Sequence, residues 1–342
     1  MFNYGIEYII CVMKAAFIRK LGPPEVIEYG EFPIDNPKGK QVLVRVKAVS
    51  VNPIDVYIRA GLVQMGISLP YIIGCDLAGV VEEVGAQVTK FKKGDRVWGT
   101  NQGLFGRQGT FAEFALVEEE WLYPTPMGVS DEDIAAIALV GITSHLGLFR
   151  EAKLKSGETI FVNGGSGGIG STVIQMAKAI GATVYASAGS EEKVNLCKKL
   201  GAKAAFNYKE KDIEREIKNV EPNGVNVWWE TSREPDFDKI ILSLAVRGRI
   251  IIMAGREARP QFPVGPFYVK DCKVFGFAMF NATSTEQMQC ANDINKWMAE
   301  GKLKPLIDRV LPLSQAALAH KLQEENTIWK RGNLSGKIVL KP

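Results

Sequence analysis

One stretch limits the fold more than any other: TIFVNGGSGGIGSTVIQMAKAIGATVYASAG, residues 159–189. It reads as a buried strand, a glycine turn, an amphipathic helix and a second strand, which is a βαβ unit. Strands joined through a helix lie parallel, so the neighbouring chain should continue in the same alternation. It does. EEKVNLCKKLGA reads as a helix, AAFNY and GVNVWWE as strands, DFDKIILSLAV as a helix and GRIIIMAG as a strand. Within the turn, Gly165, Gly167 and Gly170 form G-x-G-x-x-G between a strand and a helix. There, glycines let the backbone turn tightly and approach a pyrophosphate, while the helix N-terminus stabilises its charge. The bare pattern is weak, but its context favours a dinucleotide site over a plain glycine-rich turn.

The end of the second strand selects the nucleotide. An acidic residue there would hydrogen-bond the ribose hydroxyls of NAD and repel a 2′-phosphate. This chain has Ala188, Gly189 and Ser190 at that place, with Lys193 one turn into the next helix. An open glycine, a hydroxyl and an ammonium favour a phosphate, so NADPH is the expected cofactor. The plainer reading of Lys193 is a solvated helix lysine beside Glu191 and Glu192.

Around this α/β segment the texture differs. From about Lys14 to Tyr123 the runs QVLVRVKAVSVN, GVVEEVG, GDRVWG and GTFAEFALVE carry strand signals separated by Gly, Pro and Asn turns. VSDEDIAAIALVGITSHLGLFREA then has the acidic start and spacing of a helix, STEQMQCANDINKWMAEGKL gives a late helix, and GKIVLKP a final strand. A chain of 342 residues has room for two domains with a ligand cleft between them. The expectation is a β-rich domain interrupted by a nucleotide-binding α/β domain and completed by the C-terminal segment. Its limits are 1–136 for the first part, 137–280 for the insertion and 281–342 for the second part, with residues 1–12 a frayed extension.

Other classes receive less support. The formal charge of +4 is small, and its Lys and Arg are dispersed, which argues against nucleic acid. The short apolar run near Tyr8 to Val12 is too short to cross a membrane, and no membrane partner is expected. Cys11, Cys75, Cys197, Cys272 and Cys290 are odd in number, widely spaced and without C-x-x-C. That suits a reducing compartment, and a cytoplasmic location is expected.

LPYIIGCDLAGVVEEVG, residues 69–85, sets Cys75 beside Asp76. Catalytic zinc needs three converging ligands, and the chain has only His145 and His320, far apart, and no cysteine cluster. No metal is expected, and Cys75 reads as a small buried residue. In order, VNPIDVYIRAG, GCDLAGVVEEVG, FKKGDRVWG, GGSGGIG and SAGSEEK resemble the zinc-free branch of the medium-chain dehydrogenase/reductase superfamily, the quinone oxidoreductase or zeta-crystallin type. The resemblance covers the chain from Met13 onward. It implies a Rossmann dinucleotide-binding domain inserted into a β-rich GroES-like catalytic domain. Zinc-dependent relatives carry Gly-His-Glu where this chain has Gly74-Cys75-Asp76, a cysteine ligand where it has Asn52, and a four-cysteine loop for which Gly99 to Ala112 supplies no cysteine.

The resemblance also implies roles. Asn52 and Tyr57 would stand beside the nicotinamide and substrate, and Thr143 near the carboxamide. Ser166, Gly167, Gly168 and Ile169 would contact the pyrophosphate. Gly189, Ser190, Lys193 and Tyr208 would surround the adenosine phosphate, and Gly255, after RIIIMA, with Arg256 and Asn333 would be further cofactor contacts. Tyr57 is the expected donor to a developing oxyanion. Its plainer alternative is a wall of the cleft, that of Asn52 a turn residue before Pro53, and Asp55 reads as structural. His145 reads as a packed histidine, with a substrate role open because Thr143 is two residues away. Phe262, Phe267 and Tyr268 read either as acceptor lining or as packing. Without zinc to stabilise an alkoxide, reduction of quinones or α,β-unsaturated carbonyls is the expected activity. Enoyl thioester reduction and a non-catalytic NADPH- or RNA-binding role are the alternatives. The expected assembly is a homodimer or homotetramer, since KVFGFAMF would offer a pairing edge.

Overall fold

The computed structural model describes residues 11–329, 331 and 334–342. Asn333 lies outside them, as do residues 1–10 of the expected N-terminal extension. Contacts divide the chain into two compact units. The first holds the chain up to Thr125 with Arg309–Lys330 and Ile338–Pro342, and the second holds Pro126–Asp308 and Arg331–Lys337. These limits differ from the expected 136/137 and 280/281. The reason is helical packing: the helix begun at Asp131 packs on the helix after the glycine turn and on the helix begun at Ser284, so all three join one unit.

In chain order the first unit contains β1 (Cys11–Ile18), β2 (Ile27–Ile34), β3 (Gln41–Ser50), α1 (Pro53–Arg59), β4 (Tyr71–Ile72), β5 (Leu77–Val84), β6 (Arg96–Gly99), β7 (Phe114–Glu118) and β8 (Leu122–Pro124). The second continues with α2 (Asp131–His145), β9 (Thr159–Val162), α3 (Gly168–Ala179), β10 (Thr183–Ala188), α4 (Glu191–Leu200), β11 (Ala204–Asn207), α5 (Ile213–Val220), β12 (Val225–Glu230), α6 (Phe237–Ser243), β13 (Leu244–Ile252), α7 (Val264–Val269), β14 (Lys273–Gly276) and α8 (Ser284–Ala299). The chain ends with β15 (Ile307–Pro312), α9 (Ala316–Thr327) and β16 (Lys337–Lys341).

The first unit is built on β3. Val42, Val44, Val46 and Ala48 alternate inward and are buried, the signature of a strand with one face on the core. It pairs antiparallel with β5, β7 and β16, the last joining Ser50 to Val339 and Val49 to Leu340. The sheet order is β15-β16-β3-β5-β6-β8, and a smaller sheet runs β2-β1-β4. The second unit is a parallel sheet ordered β11-β10-β9-β12-β13-β14. From β9 the chain winds one way to β11, then returns to the other side of β9 at β12. The strand order therefore reverses between β9 and β12, the place where open α/β sheets hold ligands at their carboxyl ends.

Three local departures from the sequence reading have physical causes. The helix expected over DFDKIILSLAV stops at Ser243, because Leu244 already pairs with Val225 and starts β13. The helix begun at Ser130, whose hydroxyl accepts the amide of Asp133, extends in a wider turn through Leu146–Glu151. Asp131–Glu151 has the length and apolarity to cross a membrane, yet 78% of its most apolar window is buried inside the protein, as in a core helix. Finally, α9 had no sequence signal strong enough to read. It is held by packing against α1.

Candidate functional site

The glycine turn sits where β9 ends, next to the reversal in strand order. Gly167 precedes α3 as its N-cap, leaving backbone N–H groups of the first turn facing outward, as anion binding requires. Gly170 must lack a side chain, since a Cβ there would collide with the carbonyl oxygen of Gly164 and push α3 off the turn. Ser166 is nearly buried while Gly167 is exposed, so the rim of the turn is open. Beneath it lies Cys197, whose thiol burial pushes up to about 12, leaving it unreactive.

Two features escaped the sequence reading. The first is a relay across three strand ends. Ser187 Oγ accepts the amide of Gly164 at 3.2 Å and donates to Asn163 Oδ1 at 2.6 Å, and Asn163 Nδ2 donates to Glu230 Oε1 at 2.7 Å. Buried Glu230 also accepts Trp228 Nε1 at 3.0 Å and the amide of Ser232 at 2.6 Å. It ties β9 to β12 across the reversal and so fixes the turn. Polar residues closing apolar strands were the available signal. The second is Lys337, whose Cδ would lie 3.1 Å from a Cβ at Gly168, along the start of α3.

At the end of β10 no acidic residue stands. Ser190 caps α4 by accepting the amide of Lys193, and Lys193 Nζ donates to the carbonyl of Leu334 at 3.2 Å. Tyr208 is exposed, with its hydroxyl 2.7 Å from where a Cβ on Gly189 would be, so a side chain there would displace it. Gly255 has φ +81°, and Arg256 is exposed in an ion pair with Glu257. Thr143 is buried in α2, and its Oγ1 has no hydrogen-bond partner among the described residues. An orphaned hydroxyl, a glycine cradle and a strand end without an acid fit a dinucleotide.

His145 does not join this group. Its Nε2 is 2.8 Å from Asp293 Oδ2 on α8, and its ring packs on Phe149 and Trp297. Burial lowers its pKa, opposed by Asp293. Phe262 stacks edge-on with both Phe237 and Phe267 at 4.9 Å, an aromatic cluster on the core, while Tyr268 is exposed.

In the first unit, Asn52 and Asp55 form a reciprocal capping box at the start of α1, with the amide of Asn52 donating to Asp55 Oδ2 at 2.7 Å. Asn52 Nδ2 donates to Asp76 Oδ2 at 2.8 Å and to the carbonyl of Ser50 at 3.3 Å. Both hydrogens of that amide are therefore used in holding the start of the helix. Tyr57 lies further along α1, partly exposed. Cys75 is fully buried, and both oxygens of Asp76 are engaged by neutral donors. Among the described residues no three His, Cys, Asp or Glu side chains converge as metal ligands. This segment does not fit a zinc ion.

An alcohol dehydrogenase GroES-like domain model matches residues 38–127, and a zinc-binding dehydrogenase model matches residues 168–296. The chain is 36% identical to quinone oxidoreductase of Sus scrofa over 334 residues, covering 96% of this chain and 98% of that one. It is 31% identical to 2-methylene-furan-3-one reductase of Solanum lycopersicum, covering 96% and 79%. Among solved structures, an NAD-dependent alcohol dehydrogenase superposes with a TM-score of 0.87 at 31% identity, covering 96% and 100%. Escherichia coli quinone oxidoreductase complexed with NADPH gives 0.84 at 27%, covering 96% and 100%. The chain belongs to the medium-chain dehydrogenase/reductase superfamily, with a Rossmann domain inserted in a GroES-like one, and is an oxidoreductase of the quinone oxidoreductase type.

Proposed function

We propose that this oxidoreductase is an NADPH-dependent, zinc-independent reductase of quinones or α,β-unsaturated carbonyls. What supports the choice of cofactor is the run at the end of β10, where Ala188, Gly189 and Ser190 are not acidic, Tyr208 lies beside Gly189 and Lys193 stands one turn into α4. The named relatives, a quinone oxidoreductase and a furanone reductase, support the acceptor class. Gly165, Ser166, Gly167, Gly168, Ile169 and Gly170 would receive the pyrophosphate, with Lys337 beside α3, and Gly255 and Arg256 would lie farther along. Thr143 would meet the carboxamide with its orphaned hydroxyl. NADPH, when bound, supplies the hydride for an activated C=C bond or quinone ring.

The protein's own task is to receive the charge that then develops on the acceptor oxygen. Tyr57 donates a hydrogen bond or proton to that oxyanion through its phenol. Asn52, with its amide committed to Asp76 and Ser50, holds the helix that carries Tyr57. Cys75, Cys197, Cys272 and Cys290 are buried thiols outside any disulfide among the described residues, in keeping with a reducing, cytoplasmic setting. Among the described residues β14 pairs only with β13, and its Val274 is exposed. A second copy pairing along β14 would give a homodimer.

The test is the initial rate of NADPH oxidation by metal-free protein with a quinone, an enone and an enoyl thioester, using NADH as control. Turnover with the quinone or enone, lowered by Tyr57→Phe, is expected. Tight NADPH binding without turnover on any acceptor would overturn the reading in favour of a non-catalytic role.

A further inference from the structure

Asp76 is a fully buried carboxylate with no part in the chemistry described above. Its Oδ1 accepts Thr100 Oγ1 at 2.6 Å, and its Oδ2 accepts Ser50 Oγ at 2.7 Å and Asn52 Nδ2 at 2.8 Å. Its backbone carbonyl accepts Thr110 Oγ1 at 2.7 Å. A buried carboxylate is tolerated only when donors meet its lone pairs. Here the side-chain donors come from the end of β3, the residue before α1 and the residue after β6. One group thus holds three chain segments together.

Of those donors, Asn52 has the consequence that matters. It caps α1, and with its hydrogens given to Asp76 and to the Ser50 carbonyl, its amide cannot rotate. At seven residues, α1 is too short to persist on its own propensity, so anchors at its ends must place it. The far anchor is Arg59, fully buried, donating to the carbonyl of Gly22 at 2.9 Å and paired with Glu324 of α9. Tyr57 sits between the two anchors.

We infer that Asp76 is a positioning residue for Tyr57, acting through Asn52 and α1. The inference rests on the reading of Tyr57 as donor to the developing oxyanion. Without Asp76 the cap loosens and the phenol loses its aim, and a displacement of about 1 Å can cost on the order of 100-fold in rate. NADPH affinity, which this reading assigns mainly to the glycine turn and the residues after β10, is expected to stay unchanged.

The experiment is a double-mutant cycle on the full chain, read as kcat for NADPH oxidation with the best acceptor and as NADPH Kd by fluorescence. Asp76→Asn keeps the size but turns an amide nitrogen toward donors. It is expected to lower kcat roughly tenfold with Kd unchanged, and by less than about twofold more in a Tyr57→Phe background, as for residues that act as a unit. Full additivity of the two losses would overturn the inference while leaving Tyr57 in its role. A Tyr57→Phe variant with unchanged kcat would remove Tyr57 itself, and this role of Asp76 with it. Should Asp76→Asn not fold, Thr100→Val removes one donor. It is expected to lower kcat by about threefold, again only when Tyr57 is present. Glu119→Gln is the structural control, since Glu119 is a buried carboxylate accepting the amides of Thr89 and Lys90. It should lower the melting temperature without lowering kcat, and an equal loss of kcat at equal loss of stability would refute positioning.

Discussion

His320 should make the first unit sensitive to acid, by an amount that can be worked out. It lies on α9, fully buried, with neither ring nitrogen hydrogen-bonded among the described residues and its ring 5.9 Å from that of Phe111. Burial, and secondarily the positive charge of Arg59, push its pKa down to about 3 from a usual 6.5. The fold thus favours the neutral ring. Its contribution is fully present above pH 6.5 and is lost as the pH falls toward 3, because the unfolded chain takes up the proton first. Between pH 7.5 and 4.5 this one group should remove about 3 kcal/mol of stability. His320→Leu abolishes that loss and relieves two unpaired buried nitrogens, adding about 1–3 kcal/mol at neutral pH. The assay is urea unfolding at both pH values, followed by amide exchange in α9, so that the unit containing His320 is the one observed. Other titrating groups are common to both proteins and cancel in the difference. If wild type and His320→Leu lose the same stability between pH 7.5 and 4.5, the reasoning is wrong.

Two further outcomes test the cofactor and the assembly. Ser190→Asp retains an N-cap for α4, so stability should hold, while the new carboxylate repels a 2′-phosphate. The NADPH-to-NADH ratio of kcat/KM should fall by at least about tenfold, and an unchanged ratio would move the phosphate site elsewhere. Val274→Lys places a charge on the exposed edge of β14 and should give a monomer by light scattering, whereas an unaltered dimer would require another interface.

What could be read from the sequence was what local pattern encodes. The turn at Gly165, Gly167 and Gly170 carries its own context, since a strand and a helix flank it within a few residues. The lack of an acid at Ala188, Gly189 and Ser190 is equally local. The missed features join distant positions. Asn163, Ser187 and Glu230 meet only because β9, β10 and β12 are neighbours in the sheet, and Lys337 reaches Gly168 from the end of the chain. Asp76 was legible as a residue beside a thiol, but its donors arrive from Ser50, Asn52 and Thr100, which no periodicity links. The domain limits shifted for the same reason, as helix packing between α2 and α8 decides where contact density changes.

The pairing of β16 with β3 has a consequence for the order of assembly. During synthesis β3 emerges about 290 residues before the strand that lies against Ser50 and Val49. The inserted sheet, whose contacts are all within one continuous stretch apart from the short return at Arg331–Lys337, can condense while the ribosome is still at work. Once it has, the long loop separating β3 from β16 is a folded body, and the entropy of closing it has largely been removed beforehand. Until then Val49 and Ser50, beyond the stretch of β3 that β7 covers, lack their partner strand, the condition under which nascent chains associate wrongly. Folding of the nucleotide unit first, and closure of the surrounding sheet last, is therefore the sequence of events that this topology favours.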